Sequence, residues 1–594
     1  MSCGSESPVA VVIRNTGEPE QIRCCLANLE KCLPPGSDVR VADASEPGAG
    51  VLQSSNRAIE AILPSGGDIL LLDPSAEVTP GFLAEMCDVL YSHERHAVVS
   101  PRSNNAGIFS IPPGEIIGRN DAWSLWKDVK DYLPRFQTMP TCDAFCMLVR
   151  NSVLRTFGLF DPAYEPGYDA EHDFICRIDR FGYSAVAANR AFVFHDPPLE
   201  APSPIRERNR TNLDLRYPEY TRKMAQYLRY RVHPVERFSS RFGHGRQRIL
   251  FDLSHLPAHH CGTTEFALSL LIRLTPLLES RYDLYFYLSP LGKTFFAPEL
   301  TGYKILDHLE DADLFDLVFK PCQVFQWAEW RRMVRHGARL AYTHMDAIAV
   351  RCDYLSGPNT RTLFRTVAES VDLGITISDF SKRDFERLYG IDSRFVVIHH
   401  GVHEFEASRN TGDFILIVGN SYPHKATAMA AESLRGLDRI VVLGADPDAA
   451  DQDAGIRAVP SGSLSRRRLT ELYDAAKVVV FPSFYEGFGL PVGEALAQGK
   501  PVVARDDEVM REVAELMQSP RLYLAADFTE MRRHVANLLA GDCPPAVQPP
   551  MRSWRDAAAD YARAFEALLS SPIDVGLLER RSKLMETLDS YSPF

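Results

Sequence analysis

Two glutamates on either side of a glycine-rich turn constrain this chain more than any other feature. Glu486 and Glu494 lie eight residues apart, and the apolar run 478–481 precedes them. Pro491 suits the first position of a helix, where its missing N–H leaves no hydrogen bond unmade. The pattern predicts a strand, a loop and a helix in that order.

The start of such a helix suits an anion, because its free backbone amides and its dipole both attract negative charge. We therefore predict a nucleotide site in which the amides of residues 487–490 face a diphosphate. Glu494, one turn into the helix, is placed to accept hydrogen bonds from ribose hydroxyls, and Glu486 is placed to hold a sugar. Taken alone, the pattern also fits an ordinary corner with two solvated glutamates.

Further segments of the C-terminal half occur in an order that decides between these interpretations. Apolar runs that predict strands alternate with helix signals. The segments are Ile249–Leu253, Cys261–Leu268, Leu340–Asp346, Ile375–Phe385, Val396–Val402, Phe414–Lys425 and a final helix with Tyr561, Phe565 and Leu568. Together with Glu486 and Glu494, they resemble the retaining glycosyltransferases of family 4, which have the GT-B fold of two facing Rossmann-like domains.

The resemblance implies roles for individual residues of this chain. Lys425 would neutralise the donor diphosphate without a metal ion, and His344 would contact the donor or acceptor sugar in a cleft. The chain departs from the family at Asn420 and Ser421, near which an arginine is common, so part of the diphosphate clamp differs. The implied donor-binding residues are Lys425, Gly487, Phe488, Gly489, Leu490 and Glu494, and the implied catalytic residues are Glu486 and His344.

The first 200 residues carry a second pattern of strands and helices. The apolar runs 9–13, 39–42 and 68–72 predict strands, and an acid follows each of the last two. This alternation predicts a parallel sheet. The segment Leu70–Phe82 extends the match, and the region resembles the inverting glycosyltransferases of family 2, whose GT-A fold is an α/β Rossmann-like domain.

In that resemblance, Asp43 contacts the nucleotide base, and Asn56–Arg57 is a pair that precedes the helix before the metal-binding strand. Asp73 and His195 are the implied ligands of Mg²⁺ or Mn²⁺, an ion that bridges carboxylate and diphosphate oxygens. Ser75 stands where the family has its usual metal-binding acid. A rearranged metal site and an inactive one are both compatible with this difference.

A general base for the N-terminal module is expected in the segment Phe160–Arg177, which resembles the part of the family that supplies it. Such a base removes the proton of the acceptor hydroxyl and contributes about 10² to 10⁴ in rate. Glu171 and Asp173 are the candidates, and the register slightly favours Asp173. Alternatively, both acids only favour the dipole at the start of a helix.

Length and composition agree with three α/β domains. The chain has 594 residues, 45% of them hydrophobic and 24% charged, which is typical of a soluble globular protein with domains of roughly 150 residues. We predict a GT-A domain at 1–200, a basic linker at 201–246, the two GT-B Rossmann-like domains at 247–405 (acceptor) and 406–570 (donor), and a C-terminal extension at 571–594.

Targeting and charge patterns restrict the location. The N-terminus lacks the basic and apolar regions of a signal peptide, and no long apolar run predicts a membrane span. The scattered cysteines indicate a reducing compartment. We expect a cytoplasmic protein, either free or peripheral at the inner face of the cell membrane. The net charge of −13 argues against nucleic acid as a partner.

The predicted linker is basic and rich in tyrosine, which allows two interpretations. It contacts anionic lipid headgroups or a lipid diphosphate acceptor, or it forms helices whose charges pair with acids such as Glu310, Asp311 and Asp313. We favour the helical interpretation.

The two resemblances together predict a bifunctional glycosyltransferase of bacterial surface polysaccharide biosynthesis (O-antigen, capsule or glycolipid). It would transfer sugars from UDP- or GDP-sugar donors to a growing glycan or a polyprenyl-diphosphate-linked acceptor. The GT-A module would use Mg²⁺ or Mn²⁺, and the GT-B module no cofactor.

Two other hypotheses remain. In one, only the GT-B module is catalytic, and the GT-A-like module binds the acceptor. In the other, the C-terminal half is a nucleotide-sugar epimerase that needs no acceptor, which the spacing of Glu486 and Glu494 disfavours.

Overall fold

The computed structural model describes most of the chain, namely residues 9–14, 19–42, 50–164, 169–197, 204–242, 245–259, 261–390, 394–403, 412–445, 455–460, 462–464, 466–545 and 552–591. Asp43, the predicted base-contacting residue, lies outside the described residues. The chain divides into two compact units, Met1–His244 with Ser582–Phe594, and Gly245–Arg581. In the described part of the chain, every helix is too short or too polar to cross a membrane.

The first unit is an α/β unit. Its strands are β1 (Val9–Ile13), β2 (Asp38–Val41), β3 (Asp68–Leu72), β4 (Ala76–Val78), β5 (His96–Arg102), β6 (Phe136–Met139), β7 (Cys146–Val149) and β8 (Ser184–His195). Its helices are α1 (Pro19–Cys32), α2 (Val51–Ile62), α3 (Phe82–Tyr91), α4 (Arg119–Val129), α5 (Asn151–Phe157), α6 (Ala170–Asp179), α7 (Pro204–Arg216), α8 (Glu219–Gln226) and α9 (Pro234–Arg237).

The sheet of this unit is mixed, so the prediction of a parallel sheet is wrong in part. Its order is β2-β1-β3-β7-β5-β8-β4, with β6 beside β8. Strands β1, β2 and β3 are parallel, but β7 runs antiparallel to both β3 and β5. Strand β7 thus enters an otherwise parallel run, in which β5 and β8 are again parallel, in the opposite direction.

The segment predicted as a basic linker folds as helices α7 to α9 and belongs to the first unit. Its tyrosines Tyr217, Tyr220 and Tyr227 are buried in the hydrophobic core of that unit. Two of its cations pair with acids of the same unit, Arg216 with Asp161 and Asp173, and Lys223 with Asp179. For these two cations the predicted partners Glu310, Asp311 and Asp313 are wrong.

The second unit contains two parallel sheets. The first has strands β9 (Arg248–Asp252), β10 (Asp283–Tyr287), β11 (Lys304–Leu306), β12 (Phe315–Lys320), β13 (Gly337–His344), β14 (Leu373–Thr376) and β15 (Phe395–Val397). The helices from this part of the chain are α10 (Gly262–Leu278), α11 (Pro290–Phe296), α12 (Trp327–His336), α13 (Ile348–Arg351), α14 (Thr360–Ser370) and α15 (Asp379–Tyr389).

The second sheet has strands β16 (Phe414–Val418), β17 (Ile440–Leu443), β18 (Ile456–Val459), β19 (Ala476–Phe481), β20 (Val502–Arg505) and β21 (Leu522–Ala525). The remaining helices are α16 (Thr427–Leu434), α17 (Arg466–Asp474), α18 (Leu490–Ala497), α19 (Glu508–Met517), α20 (Phe528–Leu539), α21 (Trp554–Ser570) and α22 (Val575–Tyr591). The boundary between the two units falls within α22.

Both sheets of the second unit have the doubly wound strand order. The first runs β11-β10-β9-β12-β13-β14-β15 and the second β18-β17-β16-β19-β20-β21. Their central strands are almost fully buried, as expected for parallel strands covered on both faces. Helix α21 returns from the second sheet to the first, where Phe565 and Tyr561 pack against Phe319. The crossing back predicted for this helix is confirmed.

Candidate functional site

The strand order of the second sheet marks one edge as a ligand site. Strands β16 and β19 are neighbours, and the order of the sheet reverses between them. In open α/β sheets, ligands bind at the carboxyl ends of the strands at such a reversal. The loop after β16 carries Lys425, and the loop after β19 carries Glu486 and Gly487–Leu490.

Lys425 and Glu486 meet at this reversal. Lys425 Nζ lies 2.5 Å from Glu486 Oε1, and the two side chains are 18% and 14% exposed. The structure therefore brings together the predicted diphosphate-binding cation and the predicted sugar-binding acid.

The loop that carries Lys425 is shaped by short polar and glycine residues. Asn420 Oδ1 accepts a hydrogen bond of 3.0 Å from the amide of Tyr422, a local turn typical of asparagine. A Cβ at Gly419 would lie 2.5 Å from Thr427 Cγ2, so a side chain there would displace the start of α16. Asn420, which stands where an arginine is common in the resembling family, thus acts on the loop's conformation.

The loop after β19 is anchored to the first sheet through Gly487. Its carbonyl oxygen accepts hydrogen bonds from Ser378 Oγ at 2.6 Å and Ser381 Oγ at 3.0 Å. A Cβ at this position would lie 2.3 Å from the carbonyl oxygen of Met345. Only glycine allows this approach, which explains the residue type that the sequence pattern predicted as a phosphate-facing position.

The two residues after Gly487 complete the turn into α18. Phe488 is buried and stacks on His400, with ring centroids 5.2 Å apart. Gly489 has φ of +102°, and a Cβ there would lie 2.6 Å from Met510 Cε. The left-handed conformation favours glycine, whereas the flexible end of Met510 could move away from a side chain.

Helix α18 begins at Leu490, so Pro491 occupies its second position rather than the predicted first. Glu494 lies one turn into the helix and is half-buried. Burial raises the pKa of the Tyr473 hydroxyl well above its usual range, and the nearby Glu494 carboxylate adds to this effect. Glu494 is thus placed on the helix as predicted.

Two further acids at the same edge were not assigned from the sequence. Burial raises the pKa of Asp346 to about 6, and Glu486 adds to the effect. Burial and Glu486 likewise raise the pKa of Asp507 to about 6. Asp346 follows β13 and Asp507 follows β20, so an acid just beyond a buried strand was the available signal.

His344 has a different environment from the one predicted. It is 1% exposed, and its ring lies 4.1 Å from that of Phe385 and 5.9 Å from that of Phe364, between centroids. Burial lowers its pKa to about 3, so the ring is neutral. The structure leaves it no open face for a sugar, and the predicted sugar contact is corrected to packing at the end of β13.

In the first unit, Asp73 and His195 lie on adjoining elements. Asp73 directly follows β3, and its Oδ1 accepts hydrogen bonds from the amide of Ser75 at 2.9 Å and from Ser75 Oγ at 2.6 Å. Ala76 pairs with His195 across β4 and β8. Ser75 therefore holds the Asp73 carboxylate instead of supplying a second one.

The orientation of the His195 ring is suited to a metal ligand. Its Nδ1 lies 2.6 Å from the carbonyl oxygen of Asn105, so Nδ1 donates and Nε2 carries the free lone pair. His195 is 8% exposed. Glu77, the other acid near Ser75, pairs with Arg119 instead. Asp73 and His195 thus offer a carboxylate and a ring nitrogen, two kinds of donor that bind divalent cations in proteins.

Asp173 is not free to act as a base. It is 1% exposed and accepts hydrogen bonds from Arg177 at 3.1 Å and from Arg216 at 2.8 Å. The slight preference for Asp173 is therefore corrected. Glu171, one position from the start of α6, keeps some exposure, and burial raises its pKa, although His172 and Arg14 oppose the rise.

The Asn56–Arg57 pair lies inside α2 rather than before a helix. Asn56 is buried and donates a hydrogen bond of 2.8 Å to the carbonyl oxygen of Phe160, which ties α2 to the segment before α6. Arg57 is on the exposed side of the helix. The predicted position before the helix is wrong because the helix begins earlier, at Val51.

A group of potential metal ligands elsewhere in the second unit has a structural explanation. Within the described residues, Asp379, His399 and Glu512 are the three such side chains that lie close together. The two carboxylate oxygens of Glu512 accept hydrogen bonds from the amides of Asp379 and Phe380, at 2.8 and 2.7 Å, and His399 Nε2 lies 2.9 Å away. Glu512 of α19 thus caps the start of α15.

Comparison with known proteins assigns part of the second unit. Residues 403–542 match the family model described as glycosyl transferases group 1. This segment includes Lys425, Glu486 and the start of α18.

The curated relatives are bacterial glycosyltransferases. An O-antigen chain mannosyltransferase of Salmonella typhimurium is 29% identical over 153 residues, which cover 23% of this chain and 43% of that protein. O-antigen chain mannosyltransferase B of Escherichia coli is 38% identical over 100 residues, 16% of this chain and 22% of that protein. The matches thus span less than half the length of these relatives.

Solved structures give a weaker likeness. Sucrose-phosphate synthase of Thermosynechococcus elongatus is 15% identical, with a TM-score of 0.39, over 58% of this chain and 100% of that one. The match to the group 1 glycosyltransferase family model, at residues 403–542, thus lies in the second unit.

Proposed function

We propose that the second unit is a retaining, metal-independent glycosyltransferase that moves a sugar from a nucleotide sugar to a hydroxyl of a glycan or polyprenyl-diphosphate-linked acceptor. The observation that carries the proposal is the ion pair of Lys425 and Glu486 at the reversal of the second sheet. It lies beside the start of α18, in the segment that matches the group 1 family.

The proposed roles follow from charge and position. As the glycosidic bond breaks, negative charge grows on the leaving diphosphate, and fixed donors stabilise it better than mobile water. Lys425 and the amides of Gly487–Leu490 supply such donors, and the dipole of α18 adds to them. Glu494 accepts hydrogen bonds from the ribose, and Glu486 accepts them from the sugar once Lys425 turns to the diphosphate.

The glycan product is proposed from the relatives. Two of them are O-antigen chain mannosyltransferases, so a mannosyl donor such as GDP-mannose is the first to test. This proposal implies that the enzyme acts in the synthesis of a surface polysaccharide. It would be cytoplasmic and would contact the inner face of the membrane. An epimerase would instead convert the donor sugar without an acceptor, so acceptor dependence distinguishes the two reactions.

For the first unit we propose a second, inverting glycosyltransferase site. Glu171 is its general base, since it keeps a raised pKa and some exposure while Asp173 is held by two arginines. Asp73 and His195 would hold Mg²⁺ or Mn²⁺, which would bind the donor diphosphate. The second candidate is an acceptor-binding module without catalysis, and the capping of Asp73 by Ser75 favours it.

The test of the second-unit proposal is the release of nucleoside diphosphate from a panel of nucleotide sugars in the presence of glycan acceptors. Lys425→Ala is expected to lower kcat/KM about 10²- to 10³-fold, as for loss of one fixed donor to the reacting anion. Glu494→Ala is expected to raise the KM for the donor about 10-fold or more, the value of a hydrogen bond to a charged group.

The matched control is Lys477→Ala, at the amino end of the same strand that precedes Glu486, where Lys477 pairs with Asp438. Its kinetics should equal those of the wild type. Equal losses in Lys477→Ala and Lys425→Ala, or full activity of Lys425→Ala, would refute the assignment of the site.

A further inference from the structure

The first sheet of the second unit contributes an acid to the site on the second sheet. Tyr485 and Gly487, the neighbours of Glu486 on both sides, contact consecutive residues of the first sheet's segment after β13. The Tyr485 hydroxyl accepts a hydrogen bond of 3.2 Å from the amide of Ala347, and a Cβ at Gly487 would lie 3.1 Å from Cβ of Asp346. Glu486 is therefore held beside Asp346.

The Asp346 carboxylate is fixed in place by its own segment. Its Oδ1 accepts a hydrogen bond of 3.0 Å from the amide of Ile348, and its carbonyl oxygen accepts one of 3.1 Å from Gln323 Nε2. Oδ1 also lies 3.5 Å from Gln323 Nε2, and among the described residues Oδ2 has no hydrogen-bond partner. The group is half-buried at the carboxyl end of a buried strand.

Three acids, Glu486, Asp346 and Asp507, share this edge with Lys425 and with Arg505, which opposes the rise in the pKa of Asp507. Lys425 forms an ion pair with Glu486, and Asp346 and Asp507 both experience the charge of Glu486. Asp507 caps α19 through the amide of Met510, and Met510 is the residue that a Cβ at Gly489 would meet. When Lys425 neutralises a donor diphosphate, the carboxylates beside it are left without that cation.

We infer that Asp346 contacts the donor sugar and, with Glu486, restricts the donor to sugars that carry no carboxylate. Sugar hydroxyls donate hydrogen bonds to carboxylates, whereas a hexuronate would bring a further negative charge into a half-buried acidic site. Asp346, which follows β13 of the first sheet, thus determines the specificity for the donor sugar. The inference rests on the proposed transfer reaction of the second unit.

The test compares nucleotide sugars that differ only in charge at the sugar. UDP-glucose is paired with UDP-glucuronate and GDP-mannose with GDP-mannuronate, alongside UDP-N-acetylglucosamine, and nucleoside diphosphate release is measured with acceptors present. The wild type should prefer the neutral member of a pair by about 100-fold or more in kcat/KM, since like charges repel more strongly in a half-buried site than in water.

Asp346→Asn keeps an oxygen that can accept the hydrogen bond from Ile348 but removes the charge. This variant should raise the KM for the neutral donor about 10-fold and reduce the preference over the uronate at least about 10-fold, the value of one charge-assisted hydrogen bond. The Kd for free UDP or GDP, which lack the transferred sugar, should change less than about twofold, whereas a merely structural role of Asp346 would alter this Kd as well.

Asp353→Asn is the matched control, an exposed acid seven positions further along the same segment, and it should behave as the wild type. An unchanged preference and KM in Asp346→Asn, with turnover retained, would overturn this inference and leave the proposed function standing. A wild type that releases nucleoside diphosphate from none of these donors and binds neither UDP nor GDP would overturn both.

Discussion

At the scale of residues, the position of an acid in the sequence indicates its function only once its hydrogen-bond partners are known. Glu171 and Asp173 occupy the same turn of α6, and the sequence register separates them only slightly, in favour of Asp173. The structure separates them, because Arg216, 43 positions away in a segment predicted as a linker, reaches Asp173. No local pattern predicts that contact, and for that reason the sequence favoured the wrong member of the pair.

The two acids should therefore respond differently to replacement by their amides. Glu171→Gln is expected to lower turnover of the first unit about 10²- to 10⁴-fold with unchanged stability, because a general base is lost. Asp173→Asn is expected to lower the free energy of unfolding by about 1–3 kcal/mol, since two arginines lose a charged hydrogen-bond partner. Kinetics and urea denaturation of both variants measure this. Equal activity losses without any loss of stability in Asp173→Asn would contradict the assignment.

The raised pKa of Asp507 predicts the direction in which the stability of the fold changes with pH. Its folded-state pKa of about 6 lies above the ordinary value of 3.8, so the folded protein binds more protons than the unfolded chain between these values. This contribution to stability is present at low pH and falls as pH rises through that window.

Asp507→Asn should therefore stabilise the protein more at pH 7 than at pH 4.5, and the gain in unfolding free energy over the wild type should differ by about 1–2 kcal/mol between the two pH values. One pKa unit corresponds to about 1.36 kcal/mol, and water partly screens a half-buried group. Urea denaturation at both pH values measures it. Asp506→Asn is the control, because a hydrogen bond to Arg511 lowers the pKa of Asp506 below 3.8. The contribution of Asp506 to stability therefore changes below about pH 4, and its variant should show little difference between the two pH values. A pH difference of equal size in both variants would be inconsistent with this assignment.

At the scale of elements, the sequence predicted what is periodic and local. The start of β16, the end of β19 and the start of α18 agree with the predicted positions to within about one residue, because buried parallel strands are continuous apolar runs. The antiparallel insertion of β7 was missed, since a four-residue strand that takes its partners from distant segments has no signature of its own. The burial of His344 was missed because Phe364 and Phe385 come from two other helices.

A prediction at the scale of elements concerns the stability that α9 contributes, a helix in the segment predicted as a linker. Glu236 of α9 forms a fully buried ion pair with Arg102 of β5, and Asn189 also binds this arginine at 2.6 Å. Removal of one partner leaves an uncompensated buried charge, which typically costs about 3–5 kcal/mol.

Glu236→Ala is expected to destabilise the first unit by that amount in thermal or urea denaturation. The matched control is Glu207→Ala, an exposed acid of α7, whose effect should be within about 0.5 kcal/mol. An equally small effect of Glu236→Ala would mean that α9 does not belong to the stable core of this unit.

At the scale of the whole molecule, the chain consists of two α/β units, and each carries a candidate site. The reversal of strand order in the second unit placed Lys425 beside Glu486, and this coincidence of topology and charge supports a nucleotide-sugar site more strongly than either sequence motif alone. For the first unit, topology places Asp73, His195 and Glu171 on neighbouring elements, but the match to a known family lies in the second unit.

The central claim is that this chain carries a metal-independent transferase site in its second unit and a separate, metal-dependent one in its first. The most direct measurement is nucleoside diphosphate release by the full chain with Mn²⁺ or with EDTA, for the wild type, Glu171→Gln and Glu494→Ala, with donors and acceptors present. We predict one activity that EDTA and Glu171→Gln abolish and another that resists both and is lost in Glu494→Ala. A single activity that EDTA abolishes and Glu494→Ala leaves intact would contradict the account.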